Sequence, residues 1–145
     1  MFKSLLLLIA SVCLSFTAAA EQKMQVGKYA IHYVTFGSTF LTPEIAKSYG
    51  VKRSRYTGLV NISVLDTSQQ GEVSAAVAAN ISGQARDLTG ITKNLDFREI
   101  REGEAIYYIA ELDYRNEETY HFDIDVSHDN DLTTKLKFKQ KFYVD

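Results

Sequence analysis

The sequence predicts an all-β protein, an antiparallel β-sandwich of about seven strands with one short helix near residues 43–49. Three observations carry this. Apolar and polar residues alternate with period two along most of the chain, glycine-bearing turns interrupt the alternation at short intervals, and a single segment carries helix chemistry. Alternation, rather than solid apolar runs, points to sheets with one buried face, and so to an immunoglobulin-like pair of facing sheets.

The elements follow in order. Tyr29, Ile31 and Tyr33 alternate with Ala30, His32 and Val34 in the first strand; Met24 and Val26 extend it across a phase slip at Gly27 that reads as a bulge. Thr42-Pro43-Glu44 then supplies an N-cap, a proline at the first helical position and an acid in the first turn. Gly50 stands where a left-handed C-terminal residue belongs, with apolar Val51 after it, so the helix should span Pro43 to Tyr49. Val60, Ile62 and Val64 mark the next strand, and the polar residues 66–71 turn the chain. Val73, Ala75, Val77, Ala79 and Ile81 alternate in a third strand, ended by a connection between Gly83 and Gly90. Leu95 and Phe97 open a fourth strand that bends or stops before Ile100, and Gly103 marks a hairpin. Ile106, Tyr108, Ala110, Leu112 and Tyr114 form the longest regular stripe; Tyr120 to Val126 and Leu136 to Val144 complete the set.

The first twenty residues read as an export signal. Lys3 gives a positive start, an apolar stretch covers residues 5–14, and Ala18-Ala19-Ala20 is a small-x-small cleavage site, with Ala18 and Ala20 in the recognised places and Glu21 opening the mature chain. The apolar run is shorter than the roughly 18 to 20 residues a spanning helix needs. Val12 before Cys13, with Ala10 where leucine is expected, argues against lipid attachment. Cleavage leaves a single sandwich domain over residues 21–145, in which no proline-rich linker or repeat marks a boundary. Since Lys3 is the one charge lost with the signal, the formal net charge moves from −2 to −3. This mild acidity excludes nucleic acid as a partner. The only cysteine leaves too, so the mature domain must hold together by packing alone.

Candidate chemistry is sparse. Asp123 and Asp125 share one strand face, and Lys135, Lys137, Lys139 and Lys141 share one face of the next, a pattern of cross-strand charge pairs worth about 0.2 to 1 kcal/mol each. The same lysine stripe is also a surface for an anionic lipid or glycan phosphate. Residues 123–131 are rich in oxygen donors, but an EF-hand needs glycine sixth and glutamate twelfth, where His128 and Thr134 stand. His32, His121 and His128 lack metal-ligand spacing. No serine sits in a nucleophile elbow. Glu111 and Asp113 share a strand face at about 7 Å, as on any exposed strand. Arg53, Arg55 and Tyr56 make the one compact basic-aromatic cluster outside the last strand, suited to an anionic or planar group.

Three blocks, Phe36-Gly-Ser-Thr-Phe-Leu-Thr-Pro-Glu44 through Val64, Leu95 through Tyr108 and Phe138 through Asp145, resemble a family of short exported gamma-proteobacterial proteins catalogued as domain of unknown function 4426. The resemblance implies export and a β-sandwich, brings no activity or ligand, and directs attention to the post-helix arginines and the Gly103 hairpin. The expected function is a non-enzymatic binding or accessory module for another envelope protein in the periplasm, with no cofactor. The alternative is a domain for a small ligand, a glycan or an anionic lipid.

Overall fold

The computed structural model describes residues 21–68 and 74–144. Its ten strands are β1 (Gln22–Val26), β2 (Tyr29–Gly37), β3 (Thr57–Asp66), β4 (Ala75–Ala76), β5 (Asn80–Asp87), β6 (Thr92–Leu95), β7 (Arg98–Glu102), β8 (Ala105–Asp113), β9 (Glu118–His128) and β10 (Leu132–Phe142). One helix, α1 (Pro43–Tyr49), follows a 3-10 turn at Ser38–Phe40. The strands form two antiparallel sheets. One runs β1-β2-β3-β8-β7, with β4 beside the far end of β3; the other runs β10-β9-β5-β6.

Ten strands replace the expected seven, and each division has a physical reason. The phase slip at Gly27 is not a bulge but a two-residue hairpin turn, taken with φ +57°, so one expected strand is β1 and β2 paired from Gln22↔Tyr33 to Val26↔Tyr29. The expected third strand divides into β4 in one sheet and β5 in the other. Between them the Val77 amide donates to Val64 O at 2.9 Å and the Ala79 amide to the Tyr108 hydroxyl at 2.8 Å, which guides the chain across. Both sheets turn inward to the same core, so the alternation persists through the crossing and hides it. Val73 lies outside the described residues. Leu95 and Phe97 straddle the return crossing, from β6 to β7, which is why the apolar spacing jumps before Ile100.

Gly83 does not begin a connection. It sits inside β5, paired with Ile124 on one side and Leu95 on the other. A Cβ there would stand 2.6 Å from Asp123 O and 2.8 Å from the Ile124 Cα, so glycine is required for close approach of the backbones. The turn falls later, at Gly90, with φ +92°.

The helix is as expected. Thr42 accepts the Ile45 amide at 3.3 Å and Gly50 caps the other end in the left-handed conformation, φ 68°. α1 covers the outer face of the first sheet, where Ala46 and Val51 pack with Leu59 and Ile109. The main core lies between the sheets, with Ile31, Ile62, Val64, Tyr120, Phe122, Ile124 and Leu136 nearly inaccessible. Asn61, on the helix-covered face of β3, leaves its buried Oδ1 without a hydrogen-bond partner among the described residues.

Two outcomes test this packing. Gly83→Ala should lower stability by about 1 to 3 kcal/mol, read as a fall in the denaturant midpoint, because the backbone of β9 must move. Asn61→Val should raise the midpoint, by about 1 to 3 kcal/mol, by removing an unsatisfied buried polar atom from a strand that favours valine.

Candidate functional site

The loop from α1 to β3 carries the cluster singled out from sequence, and it is held by a reciprocal bond. Ser38, fully buried in the 3-10 turn, donates its hydroxyl to Ser54 O at 2.9 Å and accepts the Ser54 amide at 2.9 Å. Arg53 donates from Nη2 to Thr39 O at 3.2 Å, so one of the two arginines is a strut within the loop. Tyr56 receives the Tyr114 amide on its carbonyl at 2.8 Å, which leaves its ring in solvent. Arg55 is exposed beside it.

Tyr114 brings further residues to the same end of the sandwich. Its hydroxyl donates to Tyr143 O at 3.4 Å, and a Cβ on Gly37 would lie 3.8 Å both from that hydroxyl and from the Phe40 ring. A hollow of about 510 Å³ opens beside it, lined by Ile91, Lys93, Arg115 and Tyr120. The β5–β6 turn that forms one wall is set by Asp87, whose Oδ1 accepts the amides of Thr89 and Ile91 at 2.9 Å and the Thr89 hydroxyl at 2.7 Å. The Thr89 hydroxyl, with these amides, holds the Asp87 carboxyl below the usual carboxylate range.

Six large apolar side chains are exposed among the described residues, and five of them, Phe40, Tyr56, Leu88, Ile91 and Tyr143, gather at this end, each 55 to 80% accessible. Isolated exposed apolar residues are ordinary on a protein surface; five drawn together from four separate segments are not. Sequence reading found Arg53, Arg55 and Tyr56 but not the other four, which lie far apart along the chain. Only the topology joins them.

The remaining sequence candidates lie elsewhere. Glu111 and Asp113 face solvent on β8 but serve different partners. Glu111 meets Arg98 Nη2 at 3.8 Å and the Lys52 amide at 3.3 Å, while Asp113 accepts the Thr57 hydroxyl at 2.7 Å. Within the oxygen-rich segment the carboxylates diverge. Asp123 and Asp125 pair with Lys135, Asp129 with His128, and Asp131 with Lys28. No three acidic, histidine or cysteine side chains among the described residues gather to hold a metal ion. His32 contacts Glu21 at 2.8 Å, and His128 meets Ala78 O at 2.5 Å. Ala18 and Ala20 lie outside the described residues. No helix among those described is long and apolar enough to cross a membrane.

The Gly103 hairpin proves to be tied to the helix. Arg98 Nη1 donates to Gly50 O at 2.8 Å, and the Tyr49 hydroxyl donates to Glu102 Oε1 at 2.6 Å. Burial, followed by that carboxylate, pushes the Tyr49 phenol up to about 12.

The family model described as Domain of unknown function (DUF4426) matches residues 23–145, and the chain belongs to that family. A crystal structure of a DUF4426 family protein from Pseudomonas aeruginosa PAO1 is 32% identical, with a TM-score of 0.74 over 86% of this chain and 96% of that one. FetP of uropathogenic Escherichia coli, as isolated after recombinant expression in the periplasm, is 10% identical, with a TM-score of 0.54 over 85% of this chain and 92% of that one. A copper-bound FetP variant gives 11% and 0.57, over 85% and 95%. At that identity the FetP likeness is one of fold. No curated protein matches the chain.

The Tyr49–Glu102 tie has a pH signature. A phenol raised on folding contributes stability that is complete below its unfolded value near 10 and is lost as pH rises through about 12. The stability gap between wild type and Tyr49→Phe should therefore close across that alkaline window. In ultraviolet titration, Glu102→Gln should bring one tyrosine ionisation down; an unchanged titration would remove the tie.

Proposed function

We propose that this DUF4426 protein is a non-enzymatic binding module of the bacterial periplasm, exported by a cleaved signal and acting as one domain, and that it docks another envelope protein through the Tyr114 end of the sandwich. The observation that carries the reading is the concentration there of Phe40, Tyr56, Leu88, Ile91 and Tyr143, bordered by Arg55 and Arg115. Exposed aromatic and aliphatic side chains beside arginine are what a protein interface uses for its central contacts. The loops presenting them are already fixed, by the Ser38–Ser54 pair and the Asp87 turn, so little ordering is required on binding. A non-enzymatic role accords with the engagement of Glu111 and Asp113 by separate neighbours. Copper, named for FetP, is not carried across. The histidines here stand apart, His32 on β2, His121 on the outer face of β9 and His128 beside Tyr29.

Capture from cross-linked periplasm tests this. A single envelope protein should be enriched by the wild type and reduced about tenfold or more by Phe40→Ser with Tyr56→Ser, and by Arg55→Glu, at unchanged melting temperature. Arg53→Glu should also weaken capture, but with a loss of loop order visible in amide exchange. Enrichment indifferent to all these changes would exclude this end as the docking face.

A further inference from the structure

The outer face of the four-stranded sheet carries a second, independent feature. Three rows cross β5, β9 and β10 there: Arg86↔His121↔Lys139, Gln84↔Asp123↔Lys137 and Ser82↔Asp125↔Lys135. The register places Lys137 opposite Asp123, so a pair would be expected between them. Instead Lys135 takes both acids, its Nζ 3.0 Å from Asp125 Oδ1 and 3.9 Å from Asp123 Oδ1. The Asp125 hydrogen bond, with the charge of Asp123, holds the Lys135 ammonium above the ordinary lysine range. Both acids of these rows are thereby engaged by Lys135. Arg86, Lys137 and Lys139 are left with no ion pair or side-chain hydrogen bond among the described residues.

These three cations line one groove of about 470 Å³, completed by Gln84, Thr92, His121 and Asp123. Adjacent strands stand about 5 Å apart and same-face neighbours along a strand about 7 Å, so the long arginine and lysine side chains can converge on a single group between them. The lining offers a guanidinium, two ammonium groups, an amide, a hydroxyl and an imidazole N–H against one carboxylate, that of Asp123, which Lys135 engages from the side. Such a set matches a group whose oxygens only accept and which carries more than one negative charge. None of the large apolar side chains exposed among the described residues lies on this face, which offers a bilayer little to take up. The volume suits a small molecule. The net acidity of the chain opposes a long polyanion.

We propose that this groove binds a soluble, phosphate-bearing small molecule, with Arg86, Lys137 and Lys139 as its anchors and Lys135 as the residue that keeps Asp123 away from Lys137. Lys135 is a positioning residue. Its removal frees Asp123 to pair with Lys137 and closes part of the groove.

Calorimetric titration of the processed protein with inorganic phosphate, tripolyphosphate and phosphatidylglycerol vesicles tests the proposal. Tripolyphosphate should bind more tightly than phosphate, with an affinity that falls as salt rises. Lys137→Gln with Lys139→Gln should weaken it about tenfold or more. Lys135→Gln should weaken it as well, and adding Asp123→Asn to that variant should restore it. Lys47→Gln, which removes one charge from the helix, should change nothing. Equal weakening by Lys47→Gln, failure of the Asp123 change to restore binding, no heat with either phosphate, or binding to vesicles alone would each overturn the proposal. Phe40→Ser with Tyr56→Ser should leave phosphate binding intact, so the two surfaces stand or fall separately.

Discussion

The two sheets are held in register by one column of rings. Tyr33 of β2 stacks on Phe138 of β10 at 4.8 Å, Phe138 on Phe122 of β9 at 4.7 Å, and Phe142 of β10 on Tyr114, just past β8, at 4.6 Å. Phe122 and Tyr120 meet Phe142 edge-on and close the column. Each aromatic pair contributes about 0.5 to 1.5 kcal/mol beyond the area it buries. The geometry also excludes alternatives. A Cβ on Gly58 would lie 3.0 Å from both the Phe142 and Tyr114 rings, so glycine there lets the last stacked pair seat against β3.

Everything proposed for the surface depends on that column. Phe138 and Phe142 point inward, which sends Lys135, Lys137, Lys139 and Lys141 outward. A slip of one residue would exchange the two sets and bury four ammonium groups. The same stacking fixes Tyr114, and Tyr114 organises the end where Phe40, Tyr56 and Tyr143 meet. The core thus sets both the groove of cations and the apolar end.

The elements legible in the sequence were those with local causes. The helix was announced by Thr42, Pro43 and Gly50, the Gly103 hairpin by its glycine, and the last hairpin by its opposed charges. Crossings between sheets were not legible, since a residue that faces the shared core alternates alike in either sheet. Gly83 read as the start of a connection because its reason is the β9 backbone, about forty residues away. Of the apolar end, only Arg53, Arg55 and Tyr56 were visible, being neighbours in the chain. The freedom of Lys137 was hidden for a subtler reason. Pattern assigns it a partner in Asp123, and only side-chain placement shows Lys135 taking that partner.

The two outer faces of the sandwich are closed by different forces. Apolar packing of α1, fastened by Arg98 and Tyr49, covers the six-stranded sheet over β3 and β8, whereas charge covers the four-stranded one. Ionic strength acts on these in opposite senses, since dissolved ions screen the exposed charges while strongly hydrated anions such as sulfate reinforce apolar burial. The protein therefore has one flank that tightens and one that loosens when a salt of such an anion is added.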